Sequence, residues 1–117
     1  MKENIIKEKS FAFALRIVKL AKYLQSEQKE YILSKQVLRS GTSIGALVRE
    51  AEHAESKADF IHKMSIALKE ANETLYWLEL LYESEYLNQQ SFDSIHKDSE
   101  ELVKILVSIV KTTKHEI

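Results

Sequence analysis

The chain of 117 residues has no cysteine, no proline, two glycines and one tryptophan. Without cysteine there is no disulfide framework and no thiolate metal site, which points to a reducing compartment, the cytoplasm. Without proline, and with Gly41 and Gly45 four positions apart, the chain lacks the punctuation of a turn-rich sandwich or barrel and favours long helices. The amino-terminal MKENIIKEKS has no long apolar core of a secretory signal. The most apolar run, Leu102–Val110, is short and interrupted by Lys104, so no membrane span and no membrane partner are expected.

Net charge is close to zero, but the charges are unevenly placed. Residues 1–39 carry nine Lys/Arg against four Glu, whereas residues 50–101 carry four Lys against thirteen Asp/Glu. Such a split suits a dipolar surface that meets its own copy head to tail, a basic patch for an acidic partner, or plain solvated helix faces.

The strongest periodic stretch is Ser56–Tyr82. Phe60, Met64, Ala67, Ala71, Thr74, Leu78 and Leu81 recur at alternating steps of four and three, and Ile61, Leu68, Leu75 and Tyr82 make a second row beside them. Ser56 followed by Asp59 has the spacing of a helix cap. At about 1.5 Å per residue this helix is roughly 40 Å long, enough to be the spine of a small domain.

Upstream, Phe11, Ala14, Val18, Ala21 and Phe13, Ile17, Leu20, Leu24 form adjacent rows on a helix that Ser10 is expected to cap. The polar SEQKE stretch then reads as a loop. Leu33, Val37, Leu38, Ile44, Leu47, Val48 and Ala51 supply the second helix, which starts near Tyr31 or Ser34. After ESEYLNQQ, capped by Asn88 or Ser91, the four-three alternation returns in Phe92, Ile95, Ser99, Leu102, Leu106 and Ile109. VKILVSIVK is rich in β-branched residues, but the period on both sides of it is helical. The expectation is an all-α single domain over residues 1–117, with helices at about 10–26, 31–54, 56–84 and 90–113. Short loops make it an antiparallel up-down-up-down four-helix bundle.

The segment Ser40-Gly41-Thr42-Ser43-Ile44-Gly45-Ala46 offers almost no bulk. Each helix-interior glycine costs about 1 kcal/mol relative to alanine, so the stretch either admits another backbone at close range or marks a kink. It also carries a resemblance. LSKQVLRSGTSIGALVREAEHAESKADFIHKMSIALKEANETLYWLELL, with FALRIVKLAKYL upstream, strongly resembles the bacterial four-helix-bundle family whose founders are encoded in the intervening sequence of the 23S ribosomal RNA gene. The resemblance covers about residues 10–110. It implies a left-handed bundle assembling as a ring, typically a homopentamer, with an undefined molecular role. A related branch is the accessory protein of diversity-generating retroelements, which works beside a reverse transcriptase and contacts nucleic acid; that branch is strongly basic, and this chain is slightly acidic.

No catalytic motif stands out, and no cofactor or small-molecule substrate is expected. Glu50-Ala-Glu-His53 has the Glu-x-x-His spacing of di-metal bundles, with Asp59/His62 and Asp93/His96 as near variants and Glu70 and Glu73 on the spine. The first helix, however, has no carboxylate in its apolar rows, so a metal-dependent enzyme is only the alternative to a non-enzymatic scaffold or adaptor. Ser43 has no strained elbow or oriented base to make it a nucleophile. Tyr76-Trp77 reads either as a stacking platform for bases or, at the flank of the core, as a subunit contact. Arg39, Arg49, Glu50, Lys69, Glu70 and Glu73 sit beside apolar rows, where they suit ion pairs between helices or subunits, or the lining of a channel. The candidate oligomer interface is therefore Arg39, Ser40, Gly41, Ser43, Gly45 and Trp77. The candidate nucleic-acid contacts are Lys19, Lys22, Lys29 and Lys35, with Lys2, Lys7 and Lys9 in the same basic region.

Overall fold

The computed structural model describes residues 2–116, with side chains from residue 5 onward. Its elements are α1 (Lys2–Ser26), α2 (Leu33–Ala51), α3 (Lys57–Glu83) and α4 (Gln89–His115), and there is no strand among the described residues. The helices form a four-helix bundle of 47 × 21 × 19 Å. Each packs on its neighbour in sequence, and α1 also meets α4 to close the circuit.

The core is made by the expected rows. In α3, Met64, Ala67, Ala71, Thr74, Leu78 and Leu81 are buried, facing Phe13, Ile17 and Leu24 of α1, Val37, Ile44 and Val48 of α2, and Ile95, Leu102, Leu106 and Ile109 of α4 in one cluster. Short side chains at Ala67 and Ala71 leave room for the larger residues opposite, as close packing requires.

Two helix starts follow the caps read from sequence. Ser56 accepts the Asp59 N–H at 3.0 Å, and the Asp59 carboxylate accepts the Glu55 N–H at 3.1 Å. Asn88 accepts the Ser91 N–H at 2.8 Å, which decides between the two residues proposed for α4. Two starts differ. Helix α1 begins at Lys2 and not at Ser10, because Ile6 is fully buried and the added turns extend the core. Ser10 is an interior residue whose hydroxyl donates to the Lys7 carbonyl at 3.2 Å. Helix α2 is capped from outside by Glu30, whose carboxylate accepts the N–H groups of Ile32, Leu33 and Ser34 at 3.1, 2.9 and 2.7 Å. Burial alone would raise the Glu30 pKa, but these three donors outweigh it and leave the pKa lowered.

The left-handed positions, Lys29 and Glu85 (φ 56° and 70°), are not glycines. Glu85 lies just past the end of α3, where the Glu85 N–H reaches the Tyr82 carbonyl and the Tyr86 N–H reaches the Leu81 carbonyl.

Candidate functional site

The small-residue stretch lies inside α2, and the fold uses it within the chain. A Cβ on Gly41 would stand 2.7 Å from Ile17 Cγ1 and 2.9 Å from Cγ2, so the branched side chain of α1 fills the space a larger residue would need. At Gly45 the corresponding atom would lie 3.4 Å from the Ser10 carbonyl oxygen, an ordinary contact with the backbone of α1. On the adjoining side Ser40 is fully buried, and its hydroxyl accepts from Thr74 Oγ1 of α3 at 3.0 Å.

A subunit contact through Ser40, Gly41 and Gly45 is therefore corrected: α1 and α3 of the same chain already occupy their surfaces. Within the monomer, Gly41 faces the Ile17 side chain and Gly45 the Ser10 backbone of α1. Of the same candidate set Arg39 is exposed, and Ser43 and Trp77 are partly exposed. The Ser43 hydroxyl donates to the Ser40 carbonyl at 2.9 Å. Trp77 donates its indole N–H to Glu73 at 3.0 Å and meets Tyr76 edge-on at 4.9 Å between centroids, so Trp77 is fixed by its own helix and Tyr76 is left outside.

The other charged residues have separate roles. Glu50 pairs with Lys63 of α3 at 3.3 Å. The Arg49 guanidinium lies 5.0 Å from the centroid of the Phe11 ring. Phe11 and Leu15 remain 50% and 52% exposed, an outward apolar pair on α1 that the sequence rows had turned inward at Phe11. One Glu70 oxygen, Oε1, is buried without a partner.

The metal spacings do not converge. Glu50, His53 and His62 are exposed, Asp59 serves the cap of α3, and His96 stands between Glu79 (4.0 Å) and Glu100 (3.4 Å) on the outside of the bundle. Among the described residues no three His, Asp or Glu side chains are grouped to hold an ion.

The basic region divides in two. Lys7 and Lys9 are consumed by Glu52 (3.0 Å) and Glu101 (3.2 Å), and the Lys2 side chain lies outside the described residues. Lys19, Lys22, Lys29 and Lys35, with Arg39, are exposed and form no ion pair among the described residues. They follow the outer side of α1, the loop after it and the start of α2. On the other half of the chain Glu83, Glu85 and Asp93 are equally exposed.

An open concavity where α1 ends near the α3–α4 loop is lined by Tyr23, Gln28, Tyr82, Glu85 and Tyr86. It is wide open and polar, without the apolar enclosure of a small-molecule site. No helix among the described residues is long and apolar enough to cross a membrane.

No curated protein matches the chain. A crystal structure from Bacteroides thetaiotaomicron VPI-5482, described as a protein with unknown function from the S23 ribosomal protein family, is 61% identical, covers 95% of this chain and 99% of its own, and superimposes with a TM-score of 0.94. The model of the 23S rRNA-intervening sequence proteins matches residues 2–108. With nearly the whole sequence matched and the bundle shared, the chain belongs to the 23S rRNA-intervening sequence protein family.

Proposed function

We propose that this protein is a non-enzymatic scaffold or adaptor of the cytoplasm, an antiparallel up-down-up-down bundle whose copies close into a homo-oligomeric ring, a pentamer. The alternation of helix direction is supported by contacts between opposite helix ends. Lys7, early in α1, bonds Glu52 just past the end of α2, and Lys57, at the start of α3, bonds the carbonyl of Glu116 beyond the end of α4.

The observation that carries the ring is a pair of unlike unspent patches, a basic one along α1 and the start of α2 and an acidic one around the α3–α4 junction. Lys19, Lys22, Lys29, Lys35 and Arg39 stand free on the α1–α2 side, and Glu83, Glu85 and Asp93 are exposed on the α3–α4 side. Unlike patches on different faces favour a heterologous contact, which closes when the rotation per copy allows. Outward Phe11 and Leu15, and Tyr76 beside Trp77, supply the large apolar groups that anchor such contacts.

Light scattering on the purified protein is expected to give five times the 13.6 kDa subunit mass, and Lys22→Glu with Lys35→Glu to reduce it. A clean monomer at tens of micromolar removes the ring.

The same cations carry a second reading, a salt-sensitive RNA or nucleoprotein contact repeated by every subunit. A gel-shift titration with structured RNA at about 50 and 200 mM salt separates the two, since phosphate contacts weaken steeply with salt. No shift at either concentration assigns the cations to subunit contacts alone.

A further inference from the structure

We propose that the seam between α1 and α4 is a docking groove for an acidic amphipathic helix of a partner protein. The inference does not rest on the ring, although Lys19 borders both surfaces.

The seam has two dents, one of mixed character and one apolar, with ion pairs between α1 and α4 alongside them. One, of about 430 Å³, is lined by apolar Leu20, Leu87 and Ile95 together with Arg16, Lys19 and Ser91. The other, of about 310 Å³, is lined by Ile5, Ile105, Lys104 and Ser108 and is almost wholly apolar. Ile5 is left 43% exposed there. Alongside them Arg16 bonds Asp98 at 2.6 Å and the carbonyl of Ser94 at 3.3 Å, and Lys9 bonds Glu101 at 3.2 Å. The dents are separated by roughly 15 Å along α4 and 22 Å along α1, from the rise per residue.

Charge complementarity names the occupant. Asp98 and Glu101 are paired with Arg16 and Lys9, and Glu100 stands 3.4 Å from His96, so along α4 the unpaired lysines outnumber the unpaired carboxylates. Lys97, Lys104 and Lys111 recur at steps of seven along α4, all exposed and forming no ion pair among the described residues. Seven residues are two helical turns, so the three ammonium groups stand in a row about 10 Å apart along the outer side of α4, with Lys104 at the second dent. A second helix laid along the groove with carboxylates at its own two-turn repeat meets that row. Its apolar residues three turns apart, about 16 Å, reach the two dents. This is helix-in-groove recognition, in which side chains at fixed turns anchor a shallow surface. A nucleic-acid backbone would satisfy the lysines but leave the apolar dent at Ile5 and Ile105 facing phosphate and sugar.

The test uses the full-length protein and a fluorescein-labelled designed helix of about 20 residues with two leucines three turns apart and glutamates two turns apart. A peptide of identical composition with the leucines scattered serves as control, and structured RNA as the competing ligand. Anisotropy is expected to show saturable binding of the designed helix and at least tenfold weaker binding of the control. Amide shifts should centre on Leu20, Ile95, Ile5 and Ile105. Lys97→Glu, Lys104→Glu and Lys111→Glu together should cut affinity at least tenfold, with the circular dichroism of the fold retained, while Lys22→Glu with Lys35→Glu should leave it within twofold. Equal binding of the control, no saturation up to about 1 mM, or an unchanged triple variant overturns the proposal. So does RNA, or a second copy of the chain, perturbing this groove in the helix's place.

Discussion

On its α2 side, helix α1 lies against two glycines and presses Ile17 into the space that a Cβ on Gly41 would fill; on its α4 side it makes a looser contact bridged by Arg16–Asp98 and Lys9–Glu101. The first seam depends on shape and tolerates little. The second depends on half-exposed ion pairs, each worth about 0–1 kcal/mol, and leaves dents at both ends. One helix is thus fixed to one neighbour by packing and only latched to the other. Both of those dents lie along the latched side.

The largest effect that would break this contrast is Gly41→Leu. Added bulk meets the branch point of a fully buried isoleucine, so overpacking outweighs the gain of about 1 kcal/mol in helix propensity. A loss of about 3 kcal/mol is expected in urea unfolding. An unchanged midpoint would show that the α1–α2 seam is not set by close packing.

Glu30→Gln comes next, because Glu30 holds three N–H groups at the junction leading into that seam. Loss of the charged cap is expected to cost about 1–2 kcal/mol at neutral pH. The folded-state pKa lies below the ordinary 4.5, so the carboxylate's contribution is present above the unfolded value and is lost as pH falls through the folded one. The gap between wild type and variant should therefore close on acidification below pH 4.5. A gap that widens there contradicts the cap.

Gly45→Ala sharpens the contrast within one seam. Its new methyl makes an ordinary 3.4 Å contact, so a gain of up to about 1 kcal/mol is expected from helix propensity. A clear loss of melting temperature would mean that the Ser10 backbone sits closer than this geometry allows.

The smallest change is expected from Arg16→Ala. Arg16 and Asp98 are 40% and 45% exposed, so about 0.5 kcal/mol is lost at low salt and less at high salt. A loss as large as that of Gly41→Leu would erase the distinction between the packed and the latched side.

Much of this fold is written in periodicity. The four-three alternation of residues 60–81 is the buried face of α3, Ser56 caps it, and the rows of α2 and α4 keep the same inward side. Those features are local, because a helix repeats every 3.6 residues and its caps act within one turn. The beginning of α1 was less legible: Ser10 has the chemistry of a cap, and only the burial of Ile6 shows that the helix starts earlier.

The sequence by itself determined four helices, their buried faces, an uneven charge distribution and a family. Tertiary structure decided which neighbour each small or charged residue serves. SGTSIGA announces close approach, but no residue count says whether Ile17 of the same chain or another subunit fills that space. Nine basic residues precede residue 40, yet only packing shows that Lys7, Lys9 and Arg16 are spent on Glu52, Glu101 and Asp98 while Lys19, Lys22, Lys29 and Lys35 stay free. The physical reason is separation along the chain: residues 45 to 92 positions apart form these pairs, and helical periodicity carries no information over that distance.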